Sequence, residues 1–333
     1  MLAFTGSLKG AARMAAGLGI AAGALAASLG PSVAQDWPAR QVTIVVPFTA
    51  GGTTDMFGRI FAQAMQEKYK QSFVVENRAG AGGTVGAAFV SQAAPDGYTL
   101  LVGTASTHAI APYVYKRLGY DPAANFQPVS LFAQLPNLLV VSPKLPVKTF
   151  PEFVEHVKAN SGKLSYGSSG VGASNHLPGE MIQNLTGAKM THVPYRSSGD
   201  IMNALAGGHI DLAFDNMTLA WPQAQGGTVR AIAVTSKERS PTAPEVPAIA
   251  ETFPGFDIAT WHGLFAPAGT PRAIVDRIAA DVKRIYEAPD VQAKLKEVGA
   301  VAAPNTPDQF SAFAEAERKK YGEIVKAAGL TPQ

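Results

Sequence analysis

The chain contains no cysteine, which excludes a disulfide scaffold, thiolate catalysis, iron–sulfur clusters and any zinc site built on thiolates. Charge is also scarce: only 16% of the 333 residues are Asp, Glu, Lys or Arg, with a net charge of +3. No basic footprint for nucleic acid exists at that balance. The six histidines form no His-x-x-x-His pair and sit in no carboxylate cluster, so no metal is expected. Cofactor motifs fail too. No Gly-Lys-Ser/Thr ending follows a glycine loop, and the third glycine of a dinucleotide fingerprint beginning at Gly80 would fall on Val85. What remains is a chain with 47% hydrophobic residues, long enough for two domains or one large one with a sound core.

The one long uncharged run lies near the start. Lys9 and Arg13 precede Met14–Leu29, which carries no charge, and Pro31-Ser32-Val33-Ala34 supplies small residues before Gln35. This pattern predicts a secretory signal peptide over residues 1–34, cut after Ala34, and a periplasmic mature protein. A membrane anchor is the weaker reading, because the run is Ala/Gly-rich and short of the ~20 apolar residues a spanning helix needs.

Beyond it, β-branched runs alternate with glycine-rich loops and helical periodicity. Strands are expected at 42–46, 72–76 and 98–102, with a helix at about 54–69 and an Ala-rich helix before Pro95. A second set begins after Leu138–Val141, with helices at 149–159, 175–186 and 199–206 between strands near 164–166, 191–193, 211–214 and 230–235. The segment Thr149-x-x-Glu152 reads as a capping box. A further strand at 262–266 and three C-terminal helices complete the chain. Such alternation implies βα crossovers and an α/β fold of two lobes, each a mostly parallel sheet flanked by helices. The expected limits are residues 35–138 plus 239–333 for a discontinuous first lobe and 139–238 for the second. A ligand cleft then lies between the lobes, at the carboxyl ends of the strands.

Two loops carry the chemistry. In Pro47–Asp55 a strand end, Gly51-Gly52 and a helix start bring backbone amides and the positive helix terminus together, an arrangement suited to an anion. Phe48, Thr49, Gly51, Gly52, Thr53 and Asp55 are its candidate residues, with Thr53 or Thr54 as N-cap; an ordinary tight turn is the alternative. The second loop offers Ser168, Ser169, Gly172, Ser174 and His176 before another helix. It misses a nucleophile elbow because Gly167-Ser-Ser-Gly170 ends on Val171, although Ser168 or Ser169 with His176 keeps a periplasmic serine hydrolase open. The loop after the third strand adds Thr104, Ser106 and His108. Asp215, at a strand end, either meets the ligand or caps a helix at 218–225. Arg196 either binds a carboxylate or forms a surface ion pair.

Taken in order, Trp37-Pro-Ala-Arg40, Pro47-Phe48-x-Ala50-Gly-Gly-x-x-Asp55, Val75-Glu-Asn77-Arg78-Ala-Gly80-Ala-Gly-Gly83, Pro95-Asp-Gly-Tyr-Thr-Leu100, Tyr166–Gly170, His192-Val-Pro-Tyr195 and Asp211–Asn216 resemble the signatures of the Bug-type substrate-binding proteins of tripartite tricarboxylate transporters. The resemblance implies a type II "Venus flytrap" binding protein and not an enzyme. It would capture a di- or tricarboxylate, an acidic amino acid or an aromatic acid for a membrane pair of one large and one small subunit. It also implies that the loops at 48–55 and 168–174 grip a carboxylate through amides, hydroxyls and waters, that Thr104, Ser106 and Asp215 shape the rest, and that Asn77 and Arg78 stabilise the first loop. Ser197-Ser198 departs from the glycine-rich stretch typical of the family. A sensory receptor feeding a membrane kinase would use the same fold. A monomer is expected, since an exported shuttle must dock its cleft face.

Overall fold

The computed structural model describes residues 1–2 and 37–332, and all but the first two residues of the expected signal peptide lie outside the described residues. From Pro38 onward the chain alternates as β1 (Val42–Val46), α1 (Thr53–Tyr69), β2 (Phe73–Asn77), α2 (Thr84–Ser91) and β3 (Thr99–Thr104). A wound turn, Ser106–Ile110, and the short α3 (Ala111–Val114) lead to β4 (Phe126–Val141). The next stretch comprises α4 (Phe150–Ala159), β5 (Leu164–Ser168), α5 (Leu177–Thr186), β6 (Met190–Pro194), α6 (Ser198–Gly207), β7 (Leu212–Asn216), α7 (Met217–Gln225) and β8 (Arg230–Val234). The last elements are β9 (Ala259–Pro267), α8 (Arg272–Tyr286), α9 (Pro289–Glu297), β10 (Val301–Ala302) and α10 (Pro307–Ala327).

The strands run in the order β2-β1-β3-β9-β4-β7-β5-β6, with β8 and β10 also pairing β4. As the βα alternation requires, β1 is parallel to β2 and β3, and β5 is parallel to β6 and β7. The centre differs from the mostly parallel expectation. β3–β9, β4–β9, β4–β7, β4–β8 and β4–β10 are all antiparallel, so the sheet is mixed. The reason is β4 itself. It begins at Phe126, well before the predicted Leu138, because Pro128 and Pro136 disguise it as a loop. The prolines are accommodated in a strand whose register shifts at Pro128/Ser130 and again at Leu131/Ala133.

β4 is the only described strand shared by the two sheet halves. Its residues 126–136 pair with β9, while Asn137–Val141 pair with β7 on one side and β8 on the other. At the changeover the Asn137 amide donates to Thr235 Oγ1 (2.9 Å), and the Thr235 amide donates back to the Asn137 carbonyl (2.9 Å). Thr235 Oγ1 also donates to the Ile258 carbonyl at 2.6 Å. One threonine thus ties together the three segments that pass between the halves.

Packing follows from the pattern of apolar residues. On α8, Ile274, Ile278, Val282 and Ile285 are buried on one face and lie against β4, as their spacing predicts. Helix α10 packs on β4 and on the turn at 106–110, and its Phe310 joins Trp261 and Phe265 in an aromatic cluster. The predicted capping box at Thr149 is half made: its hydroxyl accepts from the Glu152 amide, but the Glu152 carboxylate takes the Lys148 amide instead of the Thr149 amide. Gly263, on β9, is where this packing is tightest. A Cβ there would clash with the edge of the Phe310 ring, 2.8 Å from its Cε1 and closer still to its Cζ, and stand 3.0 Å from the Ser130 carbonyl. Gly263→Ala is therefore expected to lower stability by about 1–3 kcal/mol, read as a shift of the urea midpoint with an unchanged m-value.

Candidate functional site

Because β1 and β3 share one direction, and β5 and β7 another, the loops after these strands converge on one narrow cavity of about 40 Å³. From the first loop Phe48, Thr49, Gly52, Thr53 and Thr54 reach it; from the end of β3, Thr104 and Ser106. The loop after β5 contributes Ser169, Ala173, Ser174 and Asn175. Arg196, Ser197 and Ser198 come from the β6–α6 turn, Asn216 from the end of β7, and Thr260 and His262 from β9.

The first loop takes its shape from Asp55, which is buried behind it. Its Oδ2 accepts from the Gly51 amide (2.9 Å) and Arg59 Nε (2.8 Å), and its Oδ1 from Asn77 Nδ2 (3.0 Å), which also donates to the Phe48 carbonyl. Burial alone would raise this carboxyl; the bonds from Arg59, Gly51 and Asn77 outweigh it and hold the pKa below the ordinary value. Asn77 is thus loop-stabilising, as expected. No side chain caps α1 at Gly52. The first-turn amides, which have no partner within the helix, therefore stay available beside Thr53 and Thr54, and the helix dipole favours an anion there.

The second loop is braced by Asn175. Its Oδ1 accepts from the Ser169 amide and its Nδ2 donates to Ser169 Oγ, each at 3.0 Å. Across the cavity the Ser174 amide donates to Ser106 Oγ (3.0 Å), Asn137 Nδ2 donates to the Ser174 carbonyl (3.0 Å), and the Thr53 and Thr218 hydroxyls meet at 2.6 Å.

These bonds have a polarity. Ser106 accepts from the Ser174 amide, Ser169 from Asn175, and Ser197 from the Asp200 amide. None of the three donates to another described residue, so each keeps its hydroxyl proton for the cavity. The only imidazole on the wall is neutral: burial lowers His262 to about 3, with Nε2 3.2 Å from Thr54 Oγ1 and Nδ1 unpartnered. Arg196 is the sole formal charge among the lining residues. A wall of neutral proton donors suits an anionic group.

Of the sequence candidates, Phe48, Thr49, Gly52, Thr53, Thr104, Ser106, Ser169 and Ser174 line the cavity. The others have different partners. Gly51 is spent on Asp55. His108 does not follow a polar loop: β3 extends to Thr104 and the chain then winds, turning the ring into the core, where it stacks on Phe265 at 3.8 Å. Gly172 takes φ +77 and faces Val114. Fully buried Ser168 meets His192 Nε2 at 2.6 Å, and His176 stacks with Tyr166 and lies tilted against His192 inside the fold. The serine–histidine contact therefore joins Ser168 to His192 instead of His176, away from the cavity. Asp215 stands behind the wall, accepting from Ser198 Oγ (2.9 Å), the Asn216 amide (2.7 Å) and, at 3.4 Å, Asn175.

Several wall residues were not among the candidates. Thr54 had appeared only as a cap, and Ser197-Ser198 only as a departure from the family pattern. Asn175 and Asn216 each adjoin a candidate in sequence. Thr260 and His262 had no local signal, since they reach the cavity only because β9 crosses antiparallel between β3 and β4.

A two-lobed α/β chain with its cavity at converging strand ends has the architecture of a type II periplasmic binding protein. Solved structures agree: Rpa4515 of R. palustris with adipate is 39% identical, the alignment covering 90% of this chain and 100% of that one, at a TM-score of 0.87. MatC from Rhodopseudomonas palustris with bound malate is 34% identical over 87% of this chain and 100% of its own, at 0.83. Protein BugT of Bordetella pertussis is 32% identical over 94% of this chain and 96% of BugT. Residues 57–330 match the tripartite tricarboxylate transporter family receptor, and the chain belongs to that family. Its members are periplasmic solute-binding proteins. Among the described residues no helix is long and apolar enough to cross a membrane.

The buried carboxylate behind the wall gives a test of this geometry. Burial raises Asp215 to about 6 from 3.8, the bonds from Asn216, Ser198 and Asn175 pulling the other way. Between those values the native state binds more protons than the unfolded one, so the contribution to stability falls as pH rises from about 4 to about 6. Buried His176 and His192, lowered to about 4 by burial, act oppositely, so the comparison is between variants. Asp215→Asn should gain stability relative to wild type between pH 4 and pH 7, measured by urea midpoints at both. A difference that stays constant would show that Asp215 titrates normally in the fold.

Proposed function

We propose that the protein captures a small organic carboxylate in the periplasm and presents it to the membrane subunits, one large and one small, of a tripartite tricarboxylate-type transporter. The observation that carries the ligand class is the orientation of Ser106, Ser169 and Ser197, whose hydroxyls are held as acceptors by N–H groups and so donate into the cavity. Adipate on Rpa4515 and malate on MatC support the same class. In this reading the lobes are residues 35–138 with 239–333 and residues 139–238. They close on the ligand by bending where Asn137, Thr235 and Ile258 meet. Residues 1–34 are removed after Ala34, and the receptor acts as a monomer.

Capture without turnover is part of the proposal. The Oγ of Ser168 is engaged with His192, the Gly170 amide and the Gly170 carbonyl, and with no exposed surface it cannot meet an ester. Neutral donors also suit a shuttle, because a carboxylate held by hydroxyls and amides is released once opening readmits water.

Ligand-free protein titrated with a panel of di- and tricarboxylates, acidic amino acids and aromatic acids should show stabilisation that grows with ligand concentration. It should reach about 2.7 kcal/mol at a hundredfold excess over Kd. No shift with any acid, from protein refolded after denaturant stripping, would overturn the reading.

A further inference from the structure

A second, wider cavity of about 490 Å³ adjoins the first and shares Phe48, Thr49, Ser169 and Arg196 with it. Its floor is the turn Gly80–Gly83, the glycine-rich segment that fails as a dinucleotide motif. Four successive residues there have positive φ: Gly80 (145°), Ala81 (46°), Gly82 (63°) and Gly83 (94°). Ala81 is one of two described non-glycine residues in that region, and the turn holds it at a steric cost. The result is a floor of bare backbone, faced by Phe48, Pro194 and Tyr195.

Arg196 stands where the two cavities meet, and it is the only formally charged residue lining either. Its carbonyl accepts from Thr49 Oγ1 at 3.3 Å, which places its backbone. The guanidinium has no hydrogen bond or ion pair to any described residue, in contrast to Arg59, Arg239 and Arg272, each of which is engaged by a carboxylate. The two acids that brace the inner wall are already occupied, Asp55 by Arg59 and Asp215 by Ser198.

Building on the carboxylate reading above, we infer that the ligand extends from the inner cavity into this outer chamber and that Arg196 selects ligands with a second carboxylate at the far end. The inner group is held by neutral donors common to any carboxylate. The outer group meets a planar cation able to pair with it bidentately. The pair distinguishes a diacid from a monoacid of the same skeleton, which the inner cavity alone cannot do.

Matched pairs test this: succinate with butyrate, adipate with hexanoate, terephthalate with benzoate, each titrated calorimetrically against wild type, Arg196→Gln and Arg196→Lys. Wild type should bind at least one diacid about tenfold or more tightly than its partner. Arg196→Gln should collapse that ratio by weakening the diacid far more than the monoacid, with the melting temperature of the ligand-free protein unchanged, and Arg196→Lys should restore part of it. Wild type that binds carboxylates without preferring the diacid, or a preference that survives in Arg196→Gln, overturns the inference and leaves the carboxylate receptor standing. Binding of no acid at all removes the carboxylate reading itself.

Discussion

The cavity depends on a carboxylate outside its lining. Asp55 collects the Gly51 amide, Asn77 and Arg59 around one buried group, and Asn77 passes the restraint on to the Phe48 carbonyl. With these bonds made, residues 48–52 have no freedom to collapse onto the open end of α1, and the first-turn amides stay exposed to a ligand. A buried charge is costly unless several donors satisfy it; here they come from the loop, the next strand and the following helical turn. The same pattern recurs opposite, where Asp215 orders Ser198 and Asn175, and Asn175 in turn orders Ser169. In both halves the charge stays behind the wall, and neutral groups face the cavity.

That separation explains how an anion site is built with one cation at its edge. A lysine or arginine inside the cavity would bind a carboxylate strongly whether the lobes were open or closed. Hydroxyl donors contribute modestly in water and more once water is excluded, so affinity is tied to closure. Because each serine is oriented by an N–H donor in this arrangement, little reorganisation of the hydroxyls remains once the halves stand as they do here. Arg196 stands at the edge that this neutral region shares with the outer chamber.

How far the sequence exposed this design can be traced residue by residue. The parallel outer strands were legible because each βα unit is local: Val42–Val46 followed by Gly51-Gly52 and a helical period leaves few alternatives. Thr53, Ser106 and Ser174 were legible for the same reason, since they follow strand ends. The antiparallel centre was hidden, because Pro128 and Pro136 mask β4 and because the pairing of β9 with β3 and β4 is non-local. Thr260 and His262 vanished with it. His108 misled in the opposite sense: a polar string, Thr104–His108, reads as a loop, yet winding after Thr104 turns the imidazole onto Phe265. Asp55 and Asp215 were found as important residues, but only the structure distinguishes a group that touches the cavity from one that positions those that do.

The hinge completes the physical account. Two lobes that close on a ligand must share backbone, and here the shared strand is β4, whose partners change at Asn137. Asn137 also sends its side chain to the Ser174 carbonyl in the second loop, so the residue at the changeover of the sheet touches the cavity wall directly. Bending at this point therefore cannot leave the second loop unmoved. Thr235 limits the bend, because its hydroxyl and amide hold Asn137 and Ile258 together. In the proposed closure, bending at Asn137 is in this way mechanically linked to the placement of Ser174 and the loop that carries Ser169.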